Sequence, residues 1–170
     1  QVERAQRAAA MGIRDFQFTL PAWGVLTDEE VRTFARFLLP RFPEARFLHY
    51  NLLRAGRLVS AALYAELAAE HPNLTATKQG TGDILRISAL LRDAPMLRHF
   101  LTEMGYPFGC SMGRPGLLQS VSSTNERAAW SYFRAGVAGD LAALARAQAD
   151  HLAIEHALVV LYSPEADDPL

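Results

Sequence analysis

Five short apolar runs recur along the chain, starting near residues 13, 46, 73, 97 and 117, with helical patterns between them. This alternation is the strongest restriction on the fold. Strands separated by helix-length segments pair in parallel, and each crossover lays a helix on the sheet. Ile13 to Leu20 places apolar residues at Ile13, Phe16, Phe18 and Leu20, and Pro21 ends the run. Arg46 to Tyr50, Asn73 to Lys78, Met96 to Leu101 and Leu117 to Val121 supply the other expected strands. A helix end over residues 1–11 is stopped by Gly12. Thr27-Asp28-Glu29-Glu30 reads as a capping box ahead of the apolar stripe Val31, Phe34, Phe37, Leu38 and Leu39. Further helices are expected over 60–70, 84–92, from Thr124-Asn125 to about Ala138, and over 141–161, with a short glycine-bounded segment around 105–112. The predicted fold class is α/β with a parallel sheet. No strand is followed by a complete glycine-rich phosphate loop, since Gly80-x-Gly82 lacks the third glycine and the downstream acid.

Charge and cysteine usage remove several functions. The chain carries 17 Lys+Arg against 18 Asp+Glu, a formal net charge of -1, which is not the footprint of a nucleic-acid binder. One cysteine, Cys110, fits a reducing, cytoplasmic setting. The apolar stretch from Ala157 to Tyr162 falls far short of the ~20 residues a spanning helix needs. The polar, helical N-terminus does not read as a signal peptide. No nucleic-acid or membrane partner is therefore expected. Among the 17 basic residues, Lys78 is the only lysine. Arginine replaces lysine at little cost on a surface but not where chemistry needs a free amine. Lys78 thus reads either as a functional amine or as a solvated strand-end residue.

In parallel-sheet folds, reactive groups gather at the carboxyl ends of strands. That rule selects Tyr50, Lys78, Leu101-Thr102 and the cluster Ser120 to Ser123. A lysine there is a candidate Schiff-base nucleophile, because burial can lower its pKa of ~10.4 by up to ~3–5 units. Tyr50 is either its proton relay or a core aromatic. The hydroxyls of Ser120, Ser122, Ser123 and Thr124 read as helix caps or as donors to substrate oxygens. His151 and Glu155 share a helix face without an evident third ligand, so no metal is expected. Cys110 reads as a small buried residue, Arg32, Arg36, Arg41 and Arg46 as a solvated surface, and Trp23 as pocket or subunit-interface packing.

Longer segments carry a resemblance. Tyr50-Asn51-Leu52-Leu53-Arg54-Ala55-Gly56 resembles the YNxPxRxG segment of the dihydrodipicolinate synthase and N-acetylneuraminate lyase family. His71-Pro72-Asn73-Leu74-Thr75-Ala76-Thr77-Lys78-Gln79, continued by Gly80-Thr81-Gly82-Asp83, resembles its HPNIxGxKE strand. Gly116 to Val121, then Asn125, is similar to the family's eighth strand and the asparagine after it, and Ala138-Gly139-Asp140-Leu141-Ala142 to the helix start that follows.

The resemblance implies a (β/α)8 barrel, usually oligomeric as a dimer or tetramer, that condenses or cleaves a 2-keto acid such as pyruvate with an aldehyde. No separate cofactor is implied, because the reaction runs through a covalent imine. Lys78 would form that imine and Tyr50 would relay protons. Arg54 corresponds to an arginine that grips a substrate carboxylate in some members, and Leu118, Gln119 and Ser120 would line the substrate side of the eighth strand. On this layout residues 1–170 form one partial barrel domain carrying strands four to eight. The first three strands and the C-terminal helical extension are missing from it. A complete barrel takes about 250 residues, so 170 imply a fragment. The family's Gly-Thr-Thr-Gly-Glu loop, which holds the pyruvate carboxylate, is among the missing parts. Pro21-Ala22-Trp23 stands where the synthases have a Pro-Tyr-Tyr, and Gln79 stands where an acid usually follows the lysine. These departures point away from dihydrodipicolinate synthase activity itself. They leave another lyase of this type, or a non-catalytic relative that binds a keto or sugar acid or serves as a structural subunit.

Overall fold

A computed structural model describes residues 2–123 and 125–162. They form seven α-helices and five strands among the described residues: α1 (Val2–Ala10), β1 (Asp15–Phe18), α2 (Asp28–Leu38), β2 (Arg46–Asn51), α3 (Ala61–Glu70), β3 (Leu74–Gln79), α4 (Ile84–Asp93), β4 (Arg98–Leu101), α5 (Tyr106–Met112), β5 (Gly116–Leu117), α6 (Glu126–Ala138) and α7 (Leu141–Tyr162). The chain divides into two compact units, Gln1–Gly80 with Ser88–Phe100, and Thr81–Ile87 with Leu101–Leu170.

In the first unit the strands lie side by side in the order β1-β2-β3-β4, and β1–β2 and β2–β3 pair in parallel. The predicted α/β class with a parallel sheet holds. Phe47, His49 and Asn51 of β2 are buried beneath the helices, while Leu48 and Tyr50 between them are half-buried on the opposite face. A core of Val31, Leu38, Leu39, Phe47, Leu63, Tyr64, Leu67 and Leu74 joins α2 and α3 to the sheet. Phe16, Phe42 and Phe47 pack ring against ring, with centroids 5.5–6.1 Å apart.

The sequence punctuation is realised locally. Thr27 caps α2 as a capping box: its hydroxyl accepts from the Glu30 N–H, and the Glu30 carboxylate accepts from the Thr27 N–H at 2.7 Å. Asp83 Oδ1 accepts from Leu85 N–H at 2.9 Å, and Asp140 Oδ1 from Ala143 N–H at 2.9 Å. Gly56 has φ +75°, so the turn favours glycine, and a Cβ there would also push against a Val25 methyl at 2.7 Å. Of the expected solvated arginines, Arg36, Arg41 and Arg46 are exposed and Arg32 is half-buried, and three of the four pair with carboxylates. Arg32 bonds Glu66 and Arg36 bonds Glu70, each at 2.7 Å, tying α2 to α3, and Arg46 forks onto Asp15 at 2.7 and 2.8 Å.

In the second unit Leu118 N–H donates to the carbonyl of Leu101, the last residue of β4, at 2.9 Å. The strand expected over Leu117 to Val121 is shorter, because β5 stops at Leu117 and Val121–Ser123 form a 3-10 turn. Asn125 caps α6, its Oδ1 accepting from Ala128 N–H at 3.0 Å, and Gly139 ends it in the left-handed conformation. Thr124, expected to open this helix, lies outside the described residues. No helix among the described residues is long and apolar enough to cross a membrane.

Thr27→Ala removes the hydroxyl half of the α2 cap and is expected to cost about 1 kcal/mol. For a chain of this size that lowers the thermal midpoint by about 2–4 °C. Calorimetry on the variant checks it, and an unchanged midpoint contradicts the cap's contribution.

Candidate functional site

Tyr50 and Lys78 are register partners at the carboxyl ends of β2 and β3, one residue before each strand stops. Both are half-buried on the face away from the helices, and Lys78 Nζ stands 4.0 Å from the centroid of the Tyr50 ring. A cation over an aromatic face is attracted by the ring quadrupole. The two residues singled out by strand-end position are therefore brought together.

The opposite face explains how they are held. Next to the Tyr50–Lys78 rung stands Asn51 opposite Gln79, both buried. Asn51 Nδ2 donates to Gln79 Oε1 at 3.1 Å and to the Val59 carbonyl at 3.2 Å, while Asn51 Oδ1 accepts from Val59 N–H at 3.0 Å. Gln79 Nε2 donates to Thr77 Oγ1 at 2.9 Å, and Thr77 Oγ1 is 2.8 Å from His99 Nδ1. His99 Nε2 lies 2.9 Å from the Ala94 carbonyl. A continuous polar chain thus runs behind β2, β3 and β4. Beside it His49 Nδ1 meets the Tyr64 hydroxyl at 2.7 Å. Burial pushes the His49 imidazole down to about 4 and lowers His99 as well. None of Asn51, Thr77, His99 or His49 was selected from strand-end position. Their signal in the sequence is polar residues at the buried alternation of apolar strands.

Between Phe47 and Leu48 the β2–β3 register shifts: Phe47 pairs with Leu74 but Leu48 pairs with Ala76, so Thr75 is an extra residue in β3. This bulge turns Ala76 and Lys78 toward the same face as Leu48 and Tyr50. A concavity of about 650 Å³ lies against the amino-terminal half of the unit's strands, lined by Gln17, Leu48, Ala76, Arg46, Arg98 and Phe100. Tyr50 and Lys78 do not line it.

The remaining expectations fare differently. Arg54 is exposed in a 3-10 turn, Leu53–Ala55, that follows β2. Trp23, expected to pack a pocket or an interface, is 86% exposed in this chain. Leu118, Gln119 and Ser120 belong to the second unit and follow a strand rather than forming one. The physical reason is Glu103, 1% exposed, whose carboxylate accepts the Ser120 N–H at 3.1 Å and draws the backbone out of the ladder. Its main-chain carbonyl accepts from the Tyr132 hydroxyl at 2.7 Å and from Gln148 Nε2 at 3.3 Å, fastening α6 and α7 to the same turn. Leu118 and Gln119 are half-buried and Ser120 is exposed. In this unit His151 is buried with its ring against Tyr132, centroids 4.7 Å apart, and burial raises the Glu155 carboxyl.

No family model matches the sequence, and no curated protein matches it either. Solved structures do. The chain is similar to YagE, a prophage protein of the dihydrodipicolinic acid synthase family from E. coli solved in complex with pyruvate, at 15% identity and TM-score 0.82, over 91% of this chain and 54% of that one. It is similar to dihydrodipicolinate synthase from Cyanidioschyzon merolae with lysine bound, at 18% identity and TM-score 0.84, over 94% and 55%. A dihydrodipicolinate synthetase homologue from Pseudomonas aeruginosa gives 20% identity and TM-score 0.81, over 95% and 56%. At these identities the likeness is one of fold. The chain spans about half the length of the structures it matches.

The buried imidazoles set an acid limit. His49 is neutral when folded down to about pH 4, whereas an unfolded histidine takes up its proton near 6.5. The unfolded state therefore binds more protons between these values, and stability falls as pH drops from about 6.5 to about 4. His49 alone accounts for about 3 kcal/mol of that loss. Urea titrations across this interval check the slope, and NMR of the His49 ring its midpoint. A flat profile contradicts the assignment.

Proposed function

We propose that this chain is a divergent, partial relative of the dihydrodipicolinate synthase and N-acetylneuraminate lyase family, with its five strands standing as the fourth to eighth of a (β/α)8 barrel. In this reading it serves a Schiff-base lyase that cleaves or condenses a 2-keto acid such as pyruvate with an aldehyde. The observation that carries it is the Lys78 amine held 4.0 Å over the Tyr50 ring at the carboxyl ends of two paired parallel strands. Strand carboxyl ends are where such folds place chemistry, and a lysine with a neighbouring phenol is a sufficient pair for imine formation.

The chemistry follows from those two groups. The neutral Lys78 amine adds to the keto carbon, giving a carbinolamine, and water leaves as the nitrogen lone pair forms the protonated imine. Tyr50 carries protons in both steps. The imine then accepts the electron pair of the bond between C3 and C4 while the C4 hydroxyl gives up its proton to the Tyr50 relay. That releases an aldehyde and leaves an enamine on Lys78. Protonation at C3 and hydrolysis return the keto acid and the free amine. Condensation is the same path reversed. The structures with this fold are about twice as long, and in this reading the carboxylate-binding loop that the resemblance implies is not among these 170 residues.

Borohydride reduction of the intact protein with a panel of 2-keto acids, followed by peptide mapping, tests the reading. The expected result is a reduced adduct on Lys78, lost in Lys78→Arg. Tyr50→Phe is expected to keep the fold and lower turnover by about 10²–10⁴-fold. No adduct on Lys78 with any keto acid overturns it.

A further inference from the structure

The polar chain behind the sheet has a direction, and its two ends fix that direction independently. At one end the backbone of Val59 decides the Asn51 amide: the N–H can face only Oδ1 and the carbonyl only Nδ2. Asn51 Nδ2 then gives its second proton to Gln79, which must present Oε1 and turn Nε2 toward Thr77. At the other end the Ala94 carbonyl can only accept, so His99 carries its proton on Nε2. A neutral imidazole protonated there has a bare Nδ1, and the Thr77 hydroxyl must donate to it. Thr77 Oγ1 is left with lone pairs for Gln79 Nε2. Both ends give the same polarity, so donors and acceptors match at every link.

Residue 79 must therefore accept from Asn51 and donate to Thr77 at once. Glutamine does both, and a carboxylate does only the first. With glutamate at 79, two lone-pair-bearing oxygens would face each other at the Thr77 contact. That conflict is relieved when His99 takes a second proton, Nδ1–H donates to Thr77, and the Thr77 hydroxyl turns to the carboxylate. The groups facing His99 are Thr77 from β3 and the carbonyls of Leu90 in α4 and Ala94 just beyond it.

The rung that this chain fastens is the neighbour of Tyr50–Lys78. Since β3 already carries an extra residue at Thr75, the ladder does not by itself fix where its end meets β2. A slip of one residue would turn Lys78 to the helix-covered face. We propose that Gln79 is a positioning residue, whose neutral side-chain amide, matched to a neutral His99 through Thr77, holds β3 in the register that sets Lys78 against Tyr50. This rests on Lys78 being the reactive amine only in its effect on activity; the polarity of the chain stands apart from it.

The test has two parts. Long-range ¹H–¹⁵N NMR of the wild-type protein is expected to show His99 as the Nε2–H tautomer. In Gln79→Glu the His99 midpoint is expected to rise by at least one pH unit over wild type, whereas in Gln79→Leu it does not rise. A residue that merely fills space would leave His99 unmoved in both. For activity, reductive trapping of pyruvate on Lys78 is expected to slow at least tenfold in Gln79→Leu, and trapping in Gln79→Glu to recover as pH falls through the raised His99 midpoint. An Nδ1–H tautomer in wild type overturns the proposal, as does an unmoved His99 midpoint in a folded Gln79→Glu protein. Absence of trapping in wild type overturns the reading of Lys78 instead, and leaves the His99 measurements to decide the polarity.

Discussion

The meeting of the Asn51 and Gln79 amides between β2 and β3 is the contact on which the site's geometry depends. A parallel ladder fixes spacing well and register poorly, and a bulge weakens register further. Apolar contacts beneath the helices favour any register that buries the same total surface. A buried amide pair does not, because each unmatched donor or acceptor costs about 1–3 kcal/mol while a matched bond yields only about 0.5–1.5. A slip that left Asn51, Gln79, Thr77 and His99 all mispaired would therefore cost more than the helix contacts could return. It would also place the Lys78 ammonium under α3, which is more expensive still. Polar groups select the register, and apolar groups supply the cohesion.

That division of labour runs through the first unit. Its helix-covered face combines a phenylalanine cluster at the strand starts with the amide and imidazole chain toward the strand ends. The cluster needs no particular partner geometry, and it lies at the end of the sheet away from Tyr50 and Lys78. The chain tolerates few alternatives, and it lies directly behind Tyr50 and Lys78. The second unit uses a similar device with one residue. Glu103 gathers a loop amide, a tyrosine hydroxyl and a glutamine side chain through its carboxylate and its own carbonyl. In both places a buried polar group behind or beyond a strand end fixes where the chain goes next.

Strand and helix order were legible because they rest on period and punctuation. Thr27 with Glu30, Asp83 and Asp140 cap the helices their positions suggest, and Tyr50 and Lys78 could be paired from strand-end position alone. The bulge at Thr75 was not legible, since NLTATK alternates no differently with or without an extra residue. The early end of β5 was hidden for another reason: LLQSV has strand composition, and Ser120 is drawn off by a carboxylate 17 residues away. Arg54 was placed by motif likeness, and the 3-10 turn that carries it has no signature of period or punctuation. Local pattern reports what a segment prefers, whereas the end of β5 was decided by one distant side chain.

The same contrast bears on why position 78 holds a lysine in a chain that otherwise uses arginine. Elsewhere the guanidinium geometry is exploited: Arg46 forks onto both oxygens of Asp15, and Arg36 onto both oxygens of Glu70. A point-charge ammonium would make those contacts less well. At position 78 the cation is held by the Tyr50 ring rather than by a carboxylate. Arginine stacks on aromatic rings at least as readily as lysine, so the ring contact gives no preference for lysine. Nor does reach, because both side chains are long and flexible. What separates them at this position is that an amine can lose its proton and add to a carbonyl, and a guanidinium cannot. Every structural duty of a cation at residue 78 could pass to arginine, so what accounts for lysine there is the covalent role proposed for it.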